Sequence, residues 1–251
     1  MGAKSHHWGA DLSLFTKASA SPGGPAMHRP LVLGLTAFTL CLPSVVAHAG
    51  WIQDGTPVST TTNNQTSPGI IPDGLGGVIV TWEDHRSGTN SDVYAQRVNA
   101  TGDVLWVTDG LPISTAPNDQ RAPTIATDGQ GGAIITWHDY QGGMSFDIYA
   151  QRVDAFGNIL WTSNGVPVST AVENQLFPTV ISDGQSGAII SWEDYRTPDA
   201  DIYAQRVNAA GAVLWTPDGA PLSTAGDDQL STVRCPCNVE DVVSRVQLPA
   251  C

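Results

Sequence analysis

Beyond residue 49 this chain contains no lysine, only two histidines, and no cysteine before residue 235. The missing lysines leave arginine as the one permanent cation. The net charge of the 251 residues is −13; it becomes −15 once the three positive and one negative charges of residues 1–49 are set aside. Such a surface repels phosphate backbones and anionic lipid, which excludes nucleic acid and membrane surfaces as partners. Cations, cationic proteins and neutral glycans stay open. With only His85 and His138, a Ser/His/Asp triad or a His-ligated metal centre has little to draw on. The cysteines Cys235, Cys237 and Cys251 crowd the C-terminus, and their odd number leaves at least one thiol unpaired. Cys-Pro-Cys has neither the spacing nor the histidines of a zinc site. A Gly-x-Ser-x-Gly elbow is missing too: Gly184-Gln185-Ser186-Gly187 is a turn in which Ser186 replaces Gly76 and Gly131. Nothing outside the N-terminal region shows helical periodicity.

One apolar run does occur, from Leu31 to Val46. It follows His28 and Arg29 and ends in Ala47-His48-Ala49, the three-part pattern of a secretory signal over residues 27–49. It falls short of the ~20 residues that span a bilayer, and Pro43 interrupts it, against a membrane anchor. Signals normally begin at a start methionine, so Met27 is the expected start and residues 1–26 a mis-assigned leader.

What is abundant is repetition. Trp51, Trp106, Trp161 and Trp215 keep one phase, and so do Trp82, Trp137 and Trp192. Tyr94, Tyr149 and Tyr203 each open a Tyr-Ala-Gln-Arg-Val string, and Gln65, Gln120, Gln175 and Gln229 recur in step. Internal periodicity of about 55 residues signals a repeat architecture. In the second unit the expected strands are 123–127, 132–138, 147–154 and 159–162. In the second of these, Ala133, Ile135 and Trp137 alternate with Ile134 and Thr136, so both faces are apolar and the strand is sandwiched between layers. The architecture predicted is all-β: antiparallel four-stranded units of a partial β-propeller, with a β-trefoil as the alternative. Units are placed at about 65–119, 120–174 and 175–228, after an outer strand within 50–64. Residues 231–251 lack every repeat marker and read as a truncated or frameshifted fourth unit.

The string from Trp82-Glu83-Asp84 through Asp92-Val-Tyr-Ala-Gln-Arg-Val98 to Gly102-x-x-Leu105-Trp106 resembles a family of tandem repeats in large exported bacterial proteins. The likeness covers roughly residues 51–230. It implies a kelch-like or sialidase-like β-propeller, often followed by surface-sorting or adhesion modules, and no single activity.

Residues present in every unit are expected to serve folding. Trp82, Trp137 and Trp192 are read as packed between blades, with Asp84, Asp139 and Asp194 accepting loop N–H groups. Trp106, Trp161, Trp215, Tyr94, Tyr149 and Tyr203 belong to the same structural set. Arg97, Arg152 and Arg206 share a face with apolar neighbours and need carboxylates. The expected partners are Asp84, Asp139 and Asp194. Those three, with Asp92, Asp147 and Asp201, are also the calcium candidates. Arg86 and Arg196 would suit a sialidase-like carboxylate site, but Gln141 breaks the set. His138 in place of Glu83 and Glu193, Arg121 in place of Thr66 and Leu176, and Glu173 in place of Asn63 and Asn118 read as drift. Recognition is expected in the loops 85–91, 140–146 and 195–200, which vary most between units.

The function expected is that of a secreted, non-catalytic propeller segment: a binding or display module, not an enzyme, without cofactors. Its partner would be an extracellular protein or glycan, and further blades of the same polypeptide are expected. The alternatives are a fragment of a sialidase-like or other glycan-active enzyme, and a structural stalk.

Overall fold

The structure, a computed structural model, describes residues 54–224 and Gln229. The expected leader, the signal peptide, Trp51 and the cysteine-bearing tail lie outside the described residues. What is described is all-β: β1 Gln65–Pro72, β2 Val78–Asp84, β3 Asp92–Val98, β4 Leu111–Ser114, β5 Gln120–Thr127, β6 Ala133–Asp139, β7 Asp147–Val153, β8 Val166–Ser169, β9 Gln175–Ser182, β10 Ala188–Asp194, β11 Asp201–Val207 and β12 Ala220–Ser223. They form three separate antiparallel sheets, each a four-stranded meander in sequence order. No ladder joins one described sheet to another; the sheets meet face to face. Such meanders stacked through their faces are propeller blades, and the trefoil alternative is not needed.

The two apolar faces of the second strand explain the stacking. Ala133, Ile135 and Trp137 of β6 enter a core with Ile79, Val93 and Ala95 of the first blade. Ile134 enters a second core with Val180, Ile190 and Trp192 of the third. Each blade can therefore bury β-strand side chains only by leaning on its neighbours. A further tie comes from the tryptophans after the third strand. Trp106 and Trp161 donate their indole N–H to Ala155 O (3.2 Å) and Ala209 O (3.0 Å) of the following blade. The rings lie on Gly157 and Gly211, where a Cβ would come within 3.0 and 2.9 Å of the indole.

The fourth strand is not where the sequence suggested. Residues 159–162 make one isolated bridge, Val153 to Ile159, and the ladder partner of β7 is β8, after Asn164-Gly165. The reason is Gln151, which is fully buried. Its amide oxygen accepts the N–H of Trp161 (3.0 Å) and its amide nitrogen donates to Thr162 O (2.7 Å). A side-chain amide thus does the pairing that a strand would have done; Gln96 and Gln205 repeat it.

The arginine partners are also corrected. Arg97, Arg152 and Arg206 pair with Asp73, Asp128 and Asp183 of the first turn in each blade, not with Asp84, Asp139 and Asp194. β1–β2, β5–β6 and β9–β10 turn at the same edge where β3, β7 and β11 end, so the guanidinium reaches the turn carboxylate. The other oxygen of Asp73 accepts the N–H groups of Leu75 and Gly77 (both 2.8 Å). Burial pushes this carboxyl up, but those amides and Arg97 outweigh it and hold it below the ordinary value.

The repeat's phase reaches the last described residue. The N–H of Gln229 donates to Ala200 O (2.6 Å), as Gln120 does to Ser91 O (2.8 Å) and Gln175 to Phe146 O (2.7 Å).

Candidate functional site at the loop edge

The second-to-third-strand loops and the connections between blades emerge together at the opposite edge. Each blade carries the same fittings there. The indoles of Trp82, Trp137 and Trp192 are buried and donate to Asp84, Asp139 and Asp194, each at 2.8 Å. In two blades an arginine completes the clamp. Arg86 grips Asp84 through Nε (2.8 Å) and Nη2 (2.6 Å), donates to Asp109 O (2.7 Å) and covers the Tyr94 ring at 3.7 Å. Arg196 does the same with Asp194, Asp218 O and Tyr203. Both guanidiniums are thereby committed to the scaffold rather than offered to a ligand carboxylate.

The middle blade has Gln141 instead, and its carboxylate responds. Burial raises Asp139 above the ordinary value, with no cation to offset it. Asp84 feels burial as well, but the hydrogen bonds from Arg86 and Trp82 bring it below.

The six calcium candidates form three cross-strand pairs: Asp84 with Asp92, Asp139 with Asp147, and Asp194 with Asp201. Among the described residues no group of three or more His, Cys, Asp or Glu is arranged to hold a metal ion. Two of the second partners are instead held uncharged more readily than usual. Burial, with Asp84 and Asp119 nearby, pushes Asp92 up to about 6. Burial, with Asp139 and Asp218 nearby, does the same to Asp147, also to about 6. Folding raises these values above 3.8, so the fold favours the protonated form. Ionisation therefore weakens the fold above about pH 6, and the penalty fades as pH falls from 6 toward 3.8. Asp147→Asn is expected to raise the melting temperature at pH 7.5 and to give no gain at pH 4. Equal gains at the two pH values, measured by calorimetry, would refute that account.

Two open clefts lie along this edge. One, of about 430 Å³, takes Asn63, Asn64, His85 and Asn90 from the first blade's side and Asp119 and Arg121 from the second's. Its lining is dominated by hydrogen-bonding groups. The other, of about 420 Å³, lies by the 140–146 loop and includes Asp147 and Glu173. Arg121 is held to Asp119 by a 2.6 Å ion pair at the surface.

Between the clefts, the innermost strands are bulged. Ser67, Ala122 and Phe177 have φ of 52°, 49° and 52°, each just before a proline, where the register of β1, β5 and β9 shifts. The N–H groups of the last two are taken by the preceding blade. Ala122 donates to Glu83 Oε1 (2.6 Å) and Phe177 to His138 Nδ1 (3.3 Å). His138, only 6% exposed, thus takes in the second blade the acceptor role that Glu83 has in the first. Burial lowers its pKa to about 4, so the ring is neutral, and acceptance at Nδ1 places its proton on Nε2. The sequence offered two signals for this region, the variability of the three loops and the departures at Arg121, His138 and Glu173. It gave none for Asn64 or Asp119.

No family model matches the chain, and no curated protein matches it. Solved structures do. A candidate glycoside hydrolase from Parabacteroides distasonis aligns at 12% identity and a TM-score of 0.43, covering 64% of this chain and 53% of its own. The α-L-arabinofuranosidase of Fusarium graminearum aligns at 11% identity and 0.41, covering 66% and 51%. The endo-arabinase of Bacteroides thetaiotaomicron aligns at 15% identity and 0.40, covering 64% and 63%. The chain thus spans between half and two thirds of their lengths. With these matches the expectation that the chain is not an enzyme no longer stands. At this distance they assign it no activity, substrate or catalytic residue.

Proposed function

We propose that this chain is a segment of a glycan-active β-propeller protein, with the sugar taken at the loop edge. The observation that carries the reading is the 430 Å³ cleft, where Asn63, Asn64, His85, Asn90, Asp119 and Arg121 converge from two blades. Sugars present many hydroxyls, each both donor and acceptor, and a shallow wall of amides, imidazole, carboxylate and guanidinium can match them. The strongly acidic chain disfavours polyanionic ligands, which leaves neutral glycans as the fitting class. The arabinan- and mannoside-directed enzymes among the structural matches supply a choice of probes. Export, inferred from residues 27–49, would put the protein where such polymers occur.

The test is calorimetric titration with short arabinan, xylan and β-1,2-mannan oligosaccharides, alongside product analysis after incubation with the same sugars. Saturable binding of at least one, weakened by Asn64→Ala, is the expected result. A flat response across the panel would overturn the reading.

A further inference from the structure

Three repeated units on one backbone pattern allow a comparison that a single domain does not. A side chain shared by all three units has a duty shared by all three, which is folding. A departure is a candidate for a place where one unit does something else. Four departures are Arg121, where the sister units have Thr66 and Leu176; His138, against Glu83 and Glu193; Phe146, against Ser91 and Ala200; and Phe177, against Ser67 and Ala122. They come from two units and four different segments, and the fold brings them to one spot. The His138 ring lies 4.8 Å from Phe146 and 5.8 Å from Phe177, edge-on to both. Tyr140 packs on Phe146 at 4.9 Å, and the guanidinium of Arg121 stands 6.0 Å from the same ring.

The conformation of Phe177 is a second, separate sign. A φ of 52° is strained for a bulky side chain, and the sister units fill that position with serine and alanine. Phe177 is nonetheless 52% exposed, so burial of the ring does not compensate the strain. The Phe177 ring meets that of His138, and the rest of it is open to solvent near the end of an innermost strand. Phe146, which shares His138 as a neighbour, is half-buried.

We propose that Phe177 and Phe146 form a stacking platform for one ring of a neutral glycan, with Arg121 directed at that sugar's hydroxyls. This rests on the reading of the loop edge as a glycan site and specifies which sugar face is read. Pyranose and furanose rings carry an apolar C–H face that suits a flat aromatic surface, and polar groups at the platform's rim fix orientation. His138 acts as a positioning residue: buried and neutral, it wedges the two rings apart and ties the backbone of Phe177. Arg121, anchored by Asp119, retains donors beyond the one that bonds Oδ2.

The sister units supply substitutions that the scaffold already tolerates. Phe177→Ala and Phe146→Ser copy Ala122 and Ser91. They are to be measured against Asn64→Ala in the polar cleft, with the same oligosaccharide panel and with melting temperatures in parallel. The expected result is a loss of affinity of at least 10-fold in each phenylalanine variant, no fall in the melting temperature of Phe177→Ala, and a sugar-induced shift of the His138 ring protons in the wild type. Unchanged affinity in both phenylalanine variants, with Asn64→Ala defective, would overturn the platform while leaving the glycan reading in place. Absence of binding by the wild type would overturn both. If Phe177→Ala folds poorly, Phe146→Ser and the ring-proton shift decide.

Discussion

Trp137→Ala should lower the stability of the fold by about 3–5 kcal/mol, the range for removing a fully buried large aromatic side chain. The indole is 0% exposed and lies in the core shared by the first and second blades. Its loss has two further consequences. Asp139, buried and already pushed above its ordinary value, would lose the indole N–H donor at 2.8 Å. Gly165, whose φ is +91° and whose Cβ would stand 2.7 Å from the ring, would sit over an empty space that its backbone cannot fill. Denaturant unfolding followed by circular dichroism reads the effect as a lower midpoint. Because Trp137 stands between two blades, the first and second sheets should be lost together. A midpoint matching that of the wild type would show that the blades do not depend on each other.

That dependence was legible in the residues. A strand apolar on both faces has few places to go, and Ala133 to Trp137 announced a layer on either side of it. The repeat phase placed three such strands, and the prolines, glycines and tight turns left only meanders to join them. What stayed hidden was work done by side chains that sequence patterns count as polar. Gln151 reads as an ordinary strand residue, yet its amide replaces a ladder and moves the fourth strand from 159–162 to 166–169. Alternation told that Arg152 needs a carboxylate but not which end of the blade its guanidinium faces, and the choice fell on Asp139 instead of Asp128. The site was hidden for a different reason. Arg121 and His138 are ladder partners within the second blade, and Phe146 directly precedes the third strand of that blade, but Phe177 comes from the next blade, and only the stacking of blades brings it to them. A reading of one unit at a time could not have joined Phe177 to the other three.

The buried arginines give the second large effect. Arg152→Met is expected to cost about 3–5 kcal/mol, as breaking one side of a buried ion pair does. Its Nε and Nη2 lie 3.1 and 2.8 Å from Asp128 Oδ2, and Nη1 reaches Ala209 O (3.3 Å) on the next blade. Methionine fills the space of the stem but leaves the Asp128 oxygen without its cation, while Oδ1 keeps the N–H groups of Gln130 and Gly132 (both 2.8 Å). Removing the charge as well, in Arg152→Met with Asp128→Asn, should therefore restore a large part of the loss. The third blade provides the contrast. Arg206 makes the same pair with Asp183, but its side chain is 29% exposed against 9% for Arg152. Water can solvate what Arg206→Met uncovers, so that variant should lose clearly less. Chemical denaturation of the four proteins orders them: wild type, Arg206→Met, the double variant close to it, and Arg152→Met last. Equal losses in Arg152→Met and Arg206→Met would mean that burial between blades is not what gives the ion pair its strength.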